Sequence, residues 1–173
     1  MKKSVLAGAA AAGVVLGAVV FPGTASAADT TVTFSITAGG IAITAPGSAA
    51  LTENALLDTA TGSITGVKVT DDRRGISGWT ATASSTAFTN GTGAGTTSIA
   101  ADQVTYTGNL ASFTGIAVVT PGLPGTLATA RSAQVATAVV GTNTATWSPT
   151  LSIALPTNRT SGSYSGVITH SVA

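Results

Sequence analysis

Near its carboxyl end the chain reads Leu151-Ser152-Ile153-Ala154-Leu155-Pro156 and, after a turn, Tyr164-Ser165-Gly166-Val167-Ile168-Thr169-His170-Ser171-Val172. Leu151, Ile153 and Leu155 alternate with Ser152, Ala154 and Pro156. In the second stretch Tyr164, Gly166, Ile168, His170 and Val172 share one face, and Ser165, Val167, Thr169 and Ser171 share the other. Side chains of an extended strand point alternately to opposite sides, so a repeat of two residues predicts strands with one face toward a core.

The same period recurs upstream. Val32, Phe34 and Ile36 alternate with Thr31, Thr33, Ser35 and Thr37, which predicts a first strand. Gly39-Gly40 permits a turn or bulge before Ile41-Ala42-Ile43-Thr44, and Pro46-Gly47 closes that unit. Residues 49–57 read as a loop with one helical turn at most. Ile64, Val67 and Val69 predict a strand that runs into Asp71-Asp72-Arg73-Arg74-Gly75, and Gly78-Trp79 to Ser84 reads as its antiparallel return, so the two are expected to pair. Residues 89–97 form a glycine-rich polar loop. Ile99, Val104 and Tyr106 resume the pattern, a short strand spans 115–119, and residues 128–140 read equally as an extended strand or a loop. Many short strands separated by turn signals predict an all-β fold, an antiparallel β-sandwich of the immunoglobulin-like kind.

The amino end sets the compartment. Lys2 and Lys3 precede an apolar run from Val5 to Phe21, and Pro22-Gly23 then leads to Ala25-Ser26-Ala27. A basic start, an apolar stretch and a small-x-small site predict a signal peptide over residues 1–27, leaving residues 28–173 as one secreted domain. The run is short and rich in Ala and Gly for a bilayer span, which normally takes about 20 apolar residues, and no second one follows, so no membrane span is expected after processing. Without Lys2 and Lys3 the seven basic residues fall to five against six acidic, a formal charge of −1. Nucleic acid and anionic lipid are recognised through basic surfaces, so neither is an expected partner. There is no cysteine, so an exported fold must rely on its apolar core.

Chemistry-bearing residues are sparse. Hydrolysis needs a nucleophile beside a base, paired carboxylates or converging metal ligands, and this chain offers one histidine, His170, in a strand without a nucleophile motif. The expectation is a non-enzyme without cofactor or metal. The dense charge cluster Asp71, Asp72, Arg73 and Arg74 could offer carboxylates to calcium, but adjacent arginines compete for them. That favours a solvated turn in which one inward Asp–Arg pair fixes a hairpin. The tryptophans are the other candidates. Trp79 suits the core of a central strand, with its indole N–H on a backbone carbonyl, whereas Trp147, just before Ser148-Pro149, reads equally as core or as an exposed platform for a sugar ring.

These residues also carry a resemblance. Val69-Thr70-Asp71-Asp72-Arg73-Arg74-Gly75 followed by Gly78-Trp79-Thr80-Ala81 resembles the proximal segment of WxL-domain surface proteins of Gram-positive bacteria, with Ala81 where that motif has Leu. The distal motif is matched at Tyr164, Ile168 and Thr169, while His170 stands where Trp is usual and Val172 where Leu is usual. The resemblance implies a divergent β-sandwich at the cell surface, bound non-covalently to peptidoglycan or another cell-wall glycan and assembled with other surface proteins or with itself. Together with the reading of Trp147 from its own flanks, this makes Trp79, Trp147, Tyr164 and His170 the candidate ligand-binding residues. The alternative is a structural or assembly module of an extracellular complex that has no glycan affinity.

Overall fold

Threonine, valine and isoleucine favour extended backbone because branching at Cβ fits a pleated surface, and extended structure dominates this chain. The computed structural model describes residues 30–37, 39–91 and 98–173. The expected signal peptide and residues 92–97 of the glycine-rich loop lie outside them. The chain divides into two units, residues 1–35 and residues 36–173. In chain order the strands of the second unit are β1 (Ile41–Thr44), β2 (Thr52–Asn54), β3 (Thr59–Ser63), β4 (Val67–Asp71), β5 (Trp79–Ser85), β6 (Phe88–Thr89) and β7 (Ser98–Ile99). They continue with β8 (Val104–Thr107), β9 (Ser112–Pro121), β10 (Gly125–Thr126), β11 (Arg131–Trp147), β12 (Thr150–Ala154) and β13 (Ile168–Val172). A 3-10 turn at Ala101–Gln103 is the helical element among the described residues, and no helix there is long and apolar enough to cross a membrane.

The fold is all-β, and every strand pairing is antiparallel. The larger sheet is built around β11. One edge of β11 pairs with β9; the opposite edge pairs with β5 through Arg131–Ala136 and with β4 through Asn143–Trp147. Outside these, β1 pairs with β4 and β13 pairs with β5. β1 and β13 also approach one another, and the sheet curls toward closure. The smaller sheet has the order β10-β8-β12-β3-β2, and β6 and β7 form a short ribbon that an isolated bridge, Thr89 to Ser165, ties to the loop before β13.

One core serves both sheets. From the larger sheet it takes Val67, Val69, Trp79, Trp147 and a series of alanines, Ala81, Ala83, Ala133, Ala136 and Ala145; from the smaller it takes Val104, Tyr106, Leu151 and Ile153. Small residues on one face leave room for large ones opposite, which is how facing layers reach crystal-like density. Val67 and Val69 are fully buried, each contributing about 1.5–3 kcal/mol by removal from water.

Three local expectations are corrected, and one left open is decided. β4 and β5 do not pair: both run antiparallel to β11 along the same edge, Asp71 opposite Asn143 and Trp79 opposite Ala136, so residues 72–78 are an excursion between two collinear strands rather than a reversal. Residues 128–140, undecided from sequence, belong largely to the long strand β11, and residues 49–57 contain β2 followed by a turn. Residues 30–37 form no strand, and Val32 (80%), Phe34 (83%) and Ile36 (72%) are exposed instead of packed.

Candidate functional site

Two polar networks and one cleft carry the chemistry of the described residues. The first network closes the excursion between β4 and β5. Asp71, the last residue of β4, faces inward and is buried, so its charge requires partners. Its Oδ1 accepts from the Arg73 backbone N–H (3.1 Å) and Nε (2.8 Å), and its Oδ2 from Arg73 Nη2 (3.1 Å) and Asn143 Nδ2 (3.2 Å). Arg73 Nη2 also donates to the carbonyls of Ser77 (3.3 Å) and Gly78 (2.9 Å), which holds the two ends of the excursion together. The Arg73 guanidinium draws the Asp71 carboxyl below its usual value against the opposing effect of burial. Asp72 and Arg74 are exposed. The expected inward Asp–Arg pair is present, but it fastens an excursion and not a hairpin.

Trp79 belongs to this network. Its indole Nε1 donates to Asn143 Oδ1 at 2.9 Å, a side-chain acceptor on β11 in place of the expected backbone carbonyl. Trp147 is also buried. Its Nε1 donates to Tyr106 Oη at 3.0 Å, and neither indole offers a face to solvent: Trp79 is in the core, and of the two readings open for Trp147 the exposed platform is ruled out.

The second network starts there. Tyr106 Oη lies 3.2 Å from His170 Nε2, with the two rings 5.8 Å apart and the His170 ring edge-on to Trp147 at 6.5 Å. Burial pushes the Tyr106 hydroxyl up to about 12, opposed by the bond from Trp147, and burial lowers the His170 pKa. The imidazole is therefore neutral at neutral pH. Tyr106 Oη accepts from Trp147, and which atom donates between Oη and His170 Nε2 is set by whether the imidazole proton sits on Nε2 or on Nδ1. That Nδ1 is buried and has no hydrogen-bond partner. Among the described residues, the hydrogen-bond partner of His170 is Tyr106, not a serine or a carboxylate.

His170 lines a cleft of about 1030 Å³ on the open side of the core. Its apolar floor comes from both sheets and the ribbon: Ile64, Leu151 and Ile153, with Phe88, Ile99 and Ile168. Residues 45–51 form one lip and residues 157–167, including half-buried Tyr164, the other. Arg159 pins the second lip, pairing with Asp58 Oδ1 at 2.9 Å and Glu53 Oε1 at 3.4 Å. Tyr164 Oη donates to the Thr160 carbonyl at 2.8 Å, which fixes the ring within its loop.

Of the four candidate ligand-binding residues, the fold thus brings Tyr164 and His170 to the cleft, sets Trp147 behind His170 through Tyr106, and sends Trp79 to the Asp71 network. Sequence reasoning missed Tyr106, Asn143 and the apolar floor. Tyr106 carried one usable signal, a rare aromatic in an otherwise aliphatic and threonine-rich strand. No family model matches the chain, and no curated protein or solved structure shows significant similarity to it.

Proposed function

We propose that this chain is an exported, non-catalytic, immunoglobulin-like β-sandwich that holds a cell-wall glycan, peptidoglycan in particular, in the cleft between residues 45–51 and 157–167. The observation that carries this reading is the cleft itself, which has the size of a small-ligand site and combines an apolar floor with a rim of hydroxyls. Sugars present C–H faces together with hydroxyl edges. The floor and the Tyr164 ring suit the first, and Ser161, Ser163 and Thr157 suit the second. The resemblance to WxL-domain proteins and the export signal support the same assignment. The tryptophans enter it as scaffold, Trp147 orienting His170 through Tyr106.

Sedimentation with insoluble peptidoglycan tests it. Wild-type protein is expected in the pellet, Tyr164→Ala and Leu155→Arg are expected to lower the bound fraction several-fold, and a change on the far β9 surface, Thr114→Ala, is expected to leave it unchanged. Wild-type protein recovered wholly in the supernatant would end the proposal.

A further inference from the structure

β9 is a ten-residue strand that pairs with β11 on one edge and with no other strand among the described residues on its second. An open edge is a row of backbone donors and acceptors ready to pair, and folded proteins usually guard it with charge, especially lysine, or with a covering element. β9 carries no charged residue, and its proline, Pro121, lies at the very end. Its outward face is apolar: Ile116 (63% exposed) and Val118 (53%) stand beside Val140 of β11 (54%).

The chain also holds an uncharged segment with the complementary property. Residues 30–37 have strand alternation and strand composition, with Val32, Phe34 and Ile36 on one face, yet they form no strand and those side chains are exposed. Eight extended residues span about 26 Å, which the length of β9 accommodates. Pairing would place Val32, Phe34 and Ile36 on the side of Ile116, Val118 and Val140 and leave the threonines on the other.

Thr37, the last residue of the segment, cannot take its place in register on its own β9, so pairing along the whole segment is closed within one chain. Gly40 is fixed where its carbonyl accepts from Asp72 N at 2.8 Å, and Gly39 lies so close to the Asp72 carbonyl that a Cβ would collide with it. One residue separates Thr37 from Gly39, so Thr37 lies within about 7 Å of it. A strand added to β9 stands four strand spacings from the β1 position, across β4, β11 and β9, about 19 Å.

We infer that residues 30–37 pair with the free edge of β9 in a second copy of this chain, so that each copy can donate a strand and accept one. The main-chain ladder supplies affinity and the alternating apolar side chains supply register, as in other strand additions. This surface lies apart from the cleft, and the inference does not depend on glycan binding.

The absence of cysteine makes a cross-linking test clean. Chains carrying Phe34→Cys and Val118→Cys, exported and purified separately, are mixed and oxidised. Disulfide-linked dimers are expected several-fold above those from Phe34→Cys alone, while a mixture of Phe34→Cys with Leu155→Cys, a cleft-facing position, stays at background. Sedimentation velocity of the unmodified chain should show mass rising with concentration, and Phe34→Asp should return it to monomer with an unchanged melting temperature. A chain that stays monomeric at every concentration, assembly indifferent to Phe34→Asp, or cross-linking to position 155 in preference to 118 would each overturn the inference.

Discussion

Asp71 is the residue on which the joint between β4 and β5 turns. Its carboxylate accepts four hydrogen bonds, three from Arg73 and one from Asn143. Asp71→Asn keeps the shape but removes the charge, leaving the guanidinium without its counter-ion. Because Arg73 retains contact with solvent, the loss should sit at or below the low end for broken buried pairs, about 2–3 kcal/mol at neutral pH. The folded-state pKa lies below the unfolded value of 3.8, so the pair's stabilisation is complete above 3.8 and disappears as pH falls through the lower folded value. Urea unfolding of wild type and Asp71→Asn should therefore show a gap that narrows in acid; a gap that stays constant would contradict this account. The Asp–Arg pair was legible because its members are two positions apart. Asn143, which joins Asp71 to Trp79, was not, because it lies 72 and 64 positions from them and an isolated asparagine carries no pairing signal.

Elements were legible where the two-residue period is unbroken, as in β12 and β13, and illegible where the chain resets its phase. β11 is the clearest case. Its register slips between Ser132 and Gln134, between Thr137 and Val140 and again between Val140 and Thr144, so Ala133 and Gln134 are both buried in succession while Val139 is buried beside exposed Val140. A strand that changes face in this way shows no sustained alternation, and bulges of this kind are set by neighbours that local sequence does not name. The Asp71 to Gly75 cluster misled for a related reason: turn-forming residues announce a departure from the strand but not whether the chain reverses or resumes its direction. The irregularities use left-handed backbone at Gly115 (φ 84°) and Ala138 (φ 50°), and the two positions should respond oppositely. Gly115→Ala adds a Cβ that meets the Thr142 carbonyl and strains φ, costing about 2 kcal/mol or more. Ala138→Gly removes existing strain and should be neutral or stabilising by up to about 1 kcal/mol. Thermal unfolding of the two variants reads both signs, and a destabilised Ala138→Gly would show that this bulge is held by something other than backbone conformation.

At the scale of residues 36–173, the cleft gathers side chains from the lip before β2, from both sheets and from the ribbon, and only Tyr164 and His170 could be picked out beforehand, from one alternating stretch of which β13 takes residues 168–172 and Tyr164 is left in the loop before it. The remaining lining is aliphatic, and aliphatic residues that line a cleft are written no differently from those that fill a core. What unifies the molecule is that the two sheets draw on one apolar cluster, with Trp79 bonded to Asn143 in the Asp71 network and Trp147 bonded to Tyr106 behind the cleft. A shared core should unfold all at once, since neither sheet can keep its face dry without the other. Trp79→Phe and Trp147→Phe each leave one indole as reporter. Each loses a buried N–H bond and some volume, so both variants should be less stable than wild type. Within either variant, however, the denaturation midpoint read by fluorescence of the remaining indole should coincide with the midpoint read by circular dichroism of the whole sheet structure. If instead the Trp147 reporter moved before the backbone signal, the cleft side would be opening as a separate unit, and the single core would have to be divided.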